Sequence, residues 1–403
     1  MSSSVMTRPF ARLWAARTLS ATGDGLTLVA LMVYITSRHL GPMALGIILL
    51  AEILPNLFSP MLGVLADRVD RRALMLACEV GQSAIMLMLA ITDVSYGVLL
   101  GAVFLRSMLS TTLRPALSSA IPAIVDEPRL DRANALLRAG EEGAGVLGPS
   151  IAAFAVAFVG VRGLFALDAA TFLLAVPLLR CVPKLPPPES IGLKESMLQS
   201  ALGGIRVLRS HAVAGRVAVG LFFFVSFAAI ENVARPFLAT GSLNAGSPGI
   251  GFLHAAPQLG IILGFLLVAR IGLRGKALQG VIGGMLLCSL GSFLTAHASI
   301  LPLALLAQFA SGIGNGLAVA SIDTLLQRSI PAGSLGRVFS NVYGAANIAA
   351  GVAYVVSGPL LSVVSPRGLF VVSGLGGLGA AVLTGLLIAT AQRTATPSEP
   401  STS

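Results

Sequence analysis

Apolar stretches of about 20 residues follow one another along almost the whole of this 403-residue chain, separated by short polar breaks. As a helix, a stretch of that length crosses the ~30 Å hydrocarbon core of a bilayer, where a chain must satisfy its own backbone hydrogen bonds. The repetition predicts an all-α membrane protein with about twelve transmembrane helices. The first six spans are expected at 14–37, 43–65, 73–92, 95–120, 134–159 and 163–181, and the second six at 212–238, 247–269, 277–296, 301–322, 338–361 and 367–391. Only 11% of residues are charged, where soluble domains carry roughly 25%. The 45 glycines suit helices that pack closely without a hydrophobic force between them.

A formal charge of +10 would fit a nucleic-acid binder if the basic residues formed one patch. They do not. Most of the 27 Lys and Arg fall in alternate loops and the tails, and only Arg38, Arg162 and Arg367 fall in the other set of loops. This positive-inside asymmetry places both termini in the cytoplasm of a multi-pass cell-membrane protein and removes the need for an anionic partner. Cys78, Cys181 and Cys288 are isolated, with no disulfide or metal-site spacing. No metal or cofactor is expected. The apolar run after Arg8, Arg12 and Arg17 is too long for a signal peptide and reads as a retained first helix.

The two sets of spans repeat. Residues 55–68 align with 257–270 at a constant offset. Leu130-Asp131-Arg132 and Arg162-Gly163-Leu164-Phe165 align with Leu335-Gly336-Arg337 and Arg367-Gly368-Leu369-Phe370 at a slightly larger one. The organisation expected is therefore a six-helix bundle over 1–181, a cytoplasmic linker over 182–211, a second bundle over 212–391 and a disordered tail over 392–403. Repeated halves of this kind build transporters that rock two bundles about a midplane site.

Between spans two and three stands Gly63-Val64-Leu65-Ala66-Asp67-Arg68-Val69-Asp70-Arg71-Arg72. It resembles the G-x-L-A-D-R-x-G-R-R signature of the major facilitator superfamily, with Asp70 in place of the second glycine. The resemblance implies that Gly63, Asp67, Arg68, Arg71 and Arg72 form a loop that latches the bundles in one state. The start Phe10-Ala11-Arg12-Leu13-Trp14, then Gly23-Asp24-Gly25, and Arg132-Ala133-Asn134-Ala135-Leu136 leading to Gly148-Pro149, look like the macrolide- and siderophore-exporter branch. Members of that branch are proton-driven. In span five Gly140, Gly145, Gly148 and Pro149 resemble the packing motif of drug antiporters, although Ala152 and Ala153 replace its later glycines. Arg106 stands where exporters carry a buried arginine, followed by Leu109 and Ser110 instead of the usual Gln-Gly.

An ionisable residue at the bilayer centre is costly and so marks function by default. At ~1.5 Å per residue, Asp24, Glu52, Arg106 and Glu141 all fall near mid-depth. Proton coupling needs a carboxylate that takes a proton when desolvated and loses it beside an arginine or water. Asp24, Glu141 and Glu142 are the candidates, with Arg106 as counter-charge and Glu52 beside them. A structural ion-pair network is the competing reading. The family fold makes spans three and six peripheral, which favours these residues over Glu79 and Asp168. Glu231 and Arg235, four apart, are expected to pair within span seven. His254 and Gln258 share a face of span eight, and with Asn315 and Asn347 they are candidates for the cavity wall.

The function expected is proton-coupled efflux of a small amphiphilic compound, a drug, antibiotic or siderophore, by a monomer surrounded by membrane lipid. Import of a small polar nutrient and a transport-inactive sensor are the alternatives. An enzyme would cluster His, Asp or Cys at one membrane face, whereas His39, His211, His254 and His297 are dispersed.

Overall fold

The computed structural model describes residues 6–59, 62, 69–185, 206, 212–272, 276–330 and 332–395. Among them, eleven helices are long and apolar enough to cross a membrane. The first four are α1 (Arg8–Ser37), α2 (Gly41–Ile53, continued by a 3₁₀ segment Leu54–Phe58), α3 (Arg71–Ile91) and α4 (Tyr96–Ile124). Next comes α5 (Leu130–Arg180), whose 51 residues are enough for two crossings of a ~30 Å core. It breaks at Gly160, with φ 63° and ψ −171°, a backbone region essentially reserved for glycine. Spans five and six thus meet at a single residue.

Span seven is two shorter pieces, α6 (Ala212–Ala228) and α7 (Ile230–Phe237), running into a π-helical turn at Leu238–Ser242. Then follow α8 (Gly246–Ile271), α9 (Ala277–His297), α10 (Leu301–Ser329), α11 (Ala332–Val363) and α12 (Pro366–Ala395). The last helix continues beyond residue 391, the end expected for span twelve.

By contact, the chain divides into two compact units. One comprises Met1–Lys194, Asn232–Gln258 and Tyr354–Pro366, and the other Glu195–Glu231, Leu259–Ala353 and Arg367–Ser403. The first unit therefore takes in α7 from Asn232 onward, the start of α8 and the end of α11, as well as α1 to α5.

In the first unit α1 packs most extensively on α5, and α3 packs on α5 and α4. The α1–α5 approach runs through glycines: a β-carbon on Gly148 would stand 2.4 Å from the Thr22 carbonyl oxygen and 2.8 Å from the Gly25 α-carbon. Near the chain start the Trp14 indole donates to the Leu136 carbonyl at 2.8 Å. Phe10, Leu13, Met75, Leu113, Leu117 and Leu179 fill the apolar core at that end. At the other end α2 meets α11, where a β-carbon on Gly46 would lie 2.2 Å from the Tyr354 carbonyl oxygen.

In the second unit α9 and α10 make the closest contact. Gly284 and Gly314 face each other so tightly that a β-carbon on either would lie 2.6 Å or less from backbone of the opposite helix. Val217, Phe224, Met285, Ile322 and Val342 build the apolar core around them.

Candidate functional site

The first unit holds a chain of ion pairs inside the apolar region. Arg106, from the middle of α4, is 2% exposed and donates with its two terminal nitrogens in different directions. Nη1 reaches Asp24 Oδ1 on α1 at 2.5 Å, and Nη2 reaches Glu52 Oε1 on α2 at 2.5 Å. The rigid guanidinium fork, with donors on separate terminal nitrogens, suits one side chain to serve two carboxylates from different helices at once. The Glu52 backbone also contributes, since its carbonyl accepts the Ser107 hydroxyl, and Thr111 reaches Asn56 one turn on. These contacts fix α2 against α4 where Pro55 interrupts the helix.

A second arginine joins this chain. Arg17 lies two turns before Asp24 on α1, donates from Nε to Glu141 Oε1 at 2.7 Å, and stands 3.8 Å from Asp24 Oδ2. Asp24 is thus shared by two guanidiniums. Both arginines are buried, while the side chains of Asp24, Glu52 and Glu141 keep 28%, 23% and 35% of their exposure. The carboxylates are the solvent-reachable members of the network and the arginines its dry members.

The structure thus joins Asp24, Glu52, Arg106 and Glu141, the four residues that depth had grouped. Glu142, although adjacent, is in no ion pair among the described residues, so Glu141 is the paired carboxylate of the two. Arg17 was missed as a member because, near the start of the first expected span, it was read together with Arg8 and Arg12 as a basic residue leading into the apolar run. Its i, i+7 spacing from Asp24, which puts both on one helix face, was the available signal.

Of the latch residues, Gly63, Asp67 and Arg68 lie outside the described residues. Arg71 is buried at the start of α3, and Arg72 donates to the Val182 carbonyl at 3.0 Å. Asp70, the departure from the signature, caps α3 by accepting from Ala73 N at 2.8 Å. Its other oxygen accepts from Leu185 N at 3.0 Å. It ties the start of α3 to the chain leaving α5.

Gly145 faces Gln258, whose Nε2 would lie 3.5 Å from a β-carbon there. Gly148 and Pro149 line the α1–α5 contact, and Pro149 also meets α8 at Gly251. His254 is 8% exposed, and its Nδ1 has no hydrogen-bond partner. His254 and Gln258 belong to the first unit, while Asn315, half-buried, and Asn347, exposed, belong to the second. In α7, Glu231 accepts from Ser373 Oγ at 2.7 Å and Gln308 Nε2 at 3.2 Å, whereas Arg235 donates to Asn232 at 2.7 Å.

Apolar helices of membrane-crossing length, with an ion-pair network buried among those of the first unit, define a multi-pass membrane protein. The sequence model of the Major Facilitator Superfamily matches residues 13–240 and 219–403. The chain belongs to that family, which places it among transporters rather than enzymes. It is 32% identical over 289 residues to the enterobactin exporter EntS of Shigella boydii serotype 18, covering 68% of this chain and 66% of that one. The match thus spans just under two thirds of the length of these curated relatives, and the same figures hold for EntS of Escherichia coli O81. The fold is that of the nucleoside transporter NupG, at TM-score 0.77 and 14% identity over 94% of this chain and 99% of that one. It is equally that of a POT family transporter crystallised with 5-aminolevulinic acid, at TM-score 0.78 and 14% identity over 96% and 97%.

Proposed function

We propose that this protein is a proton-coupled exporter of small amphiphilic compounds, such as drugs, antibiotics or siderophores, working by alternating access. The observation that carries the reading is the sharing of Asp24 between Arg106 and Arg17 inside the membrane. A proton and an arginine compete for the same carboxylate. Protonating Asp24 frees both guanidiniums to lean on Glu52 and Glu141, and deprotonating it draws them back. Such a rearrangement joins α1, α2, α4 and α5, so it couples a proton to helix movement. The likeness to the enterobactin exporters supports the outward direction and makes a siderophore the first compound to try.

The same reading gives the loop from Gly63 to Arg72 the role of a conformational latch and assigns His254, Gln258, Asn315 and Asn347 to the substrate cavity. It places a monomer in the cell membrane, with both termini in the cytoplasm.

Substrate-dependent proton release in proteoliposomes tests it, with enterobactin, macrolides and lipophilic cations against an imposed pH gradient. Efflux should collapse with the gradient and in Asp24→Asn or Glu141→Gln. Proton-driven efflux that survives Asp24→Asn removes that residue from the coupling path. Absence of flux for every compound, with the protein folded, would favour a nutrient importer or a sensor.

A further inference from the structure

Two carboxylates of the first unit stand outside the ion-pair chain. Glu79 on α3 is 1% exposed and Asp168 on α5 is 0% exposed. Neither lies within 4.0 Å of a lysine or arginine among the described residues, since Arg17 and Arg106 are engaged by Asp24, Glu52 and Glu141. The charged groups acting on Glu79 are Arg17, Asp24 and Asp168, and those acting on Asp168 are Asp24 and Arg106.

The immediate partners are hydroxyls on α1 and on α5 itself. Both Glu79 oxygens lie within hydrogen-bond reach of Ser20 Oγ, at 2.9 and 2.8 Å. Ser20 has one proton to give, and a carboxyl proton donated back to Oγ completes the second contact. At Asp168, Oδ2 accepts from Thr27 Oγ1 at 2.5 Å. Oδ1 lies 3.3 Å from Thr171 Oγ1, but that hydroxyl donates to the Asp168 backbone carbonyl at 2.8 Å. A proton on Oδ1 gives this contact its donor. The same oxygen presses on α1, where a β-carbon on Gly23 would be 2.1 Å away.

We propose that Glu79 and Asp168 are protonated acids in this state and form a proton store for transport, exchanging with Asp24 across α1. The inference rests on the proton-coupled reading above. Ser20, Gly23, Asp24 and Thr27 stand at i, i+3, i+4 and i+7 on α1, so one helix touches all three carboxyl groups. In the exchange, the O–H bond of Glu79 or Asp168 breaks and one forms on Asp24. The net charge of the unit is unchanged, and the arginine released by Asp24 can turn to the new carboxylate. Burial of an unpaired ionised carboxylate is strongly unfavourable, which keeps the pair protonated until α1 shifts.

The test is infrared spectroscopy of the full-length protein in lipid, reading the carbonyl stretch of protonated carboxyl groups, together with transport. At neutral pH the wild type should show two such bands that resist hydrogen–deuterium exchange. Glu79→Gln and Asp168→Asn should each remove one. Both variants should lose pH-gradient-driven efflux while keeping substrate counterflow, which a merely structural role would not separate. Absence of the bands in the wild type, or gradient-driven efflux retained in both variants, overturns the proposal. Where a variant does not fold, Ser20→Ala or Thr27→Val keeps the carboxyl and should shift its band; an unshifted band counts against the assignment. A wild type without proton-driven flux sinks the exporter reading instead, whatever the bands show.

Discussion

At the scale of single residues, Arg106 has the strongest claim to a defined task. Its two terminal nitrogens serve carboxylates 82 and 54 positions away in sequence. Arg106→Ala leaves Asp24 and Glu52 without that counter-charge. Losing one partner of a buried pair costs about 3–5 kcal/mol, toward the lower end here because both carboxylates remain about a quarter exposed. Thermal unfolding in detergent should show the loss, with efflux abolished. Arg106→Lys should fold nearly as well yet transport poorly, because an ammonium is a point charge and lacks the divergent fork. Equal efflux by the lysine variant would mean that charge alone suffices. Counting depth along each span was enough to select Asp24, Glu52, Arg106 and Glu141. It passed over Glu79 and Asp168 because a span judged peripheral to the cavity is still fully packed on its inner side, and that side here faces α1.

At the scale of elements, the informative case is α5. The gap expected between spans five and six closes to one non-helical residue, Gly160. A β-carbon at φ 63° and ψ −171° is strained by about 1–3 kcal/mol. Gly160→Ala should therefore lower the thermal midpoint by several degrees while leaving efflux by the folded fraction intact. An unchanged midpoint would show that the backbone relaxes there at no cost. The sequence placed this connection correctly, because Arg162 and the break in hydropathy mark it. Its sharpness was not legible, since hydropathy reports where a chain leaves the membrane and not the torsion at which it turns. Asp70 teaches the same lesson: noted in the sequence only as a departure from the signature glycine, it is the N-cap of α3 and the holder of Leu185.

At the scale of the molecule, charge asymmetry makes a prediction that the fold does not. With Cys78, Cys181 and Cys288 replaced by alanine, Arg8→Cys should resist a membrane-impermeant maleimide on intact cells. Arg162→Cys, at a site where the arginine side chain is 58% exposed, should react. The reverse pattern would invert the assigned orientation. Within the chain, the compact units do not follow sequence order, because Asn232–Gln258 and Tyr354–Pro366 fold with the first six spans. Linear reading divides a chain at its longest polar break, whereas packing divides it where contacts are sparse.

The solvent of this protein, its all-helical build, the number and order of its spans and its family are all determined by the sequence read alone. Each follows from a local property: a run of apolar residues long enough to cross lipid must close its own hydrogen bonds as a helix, and a signature string is local by definition. Only the tertiary structure decided that Asp24 is shared by Arg17 and Arg106, that Glu141 and not Glu142 joins them, and that Glu79 and Asp168 face hydroxyls instead of arginines. Those outcomes depend on the rotation and crossing of helices far apart in sequence. Close glycine contacts such as Gly25 with Gly148 set that geometry, and no single segment contains the information.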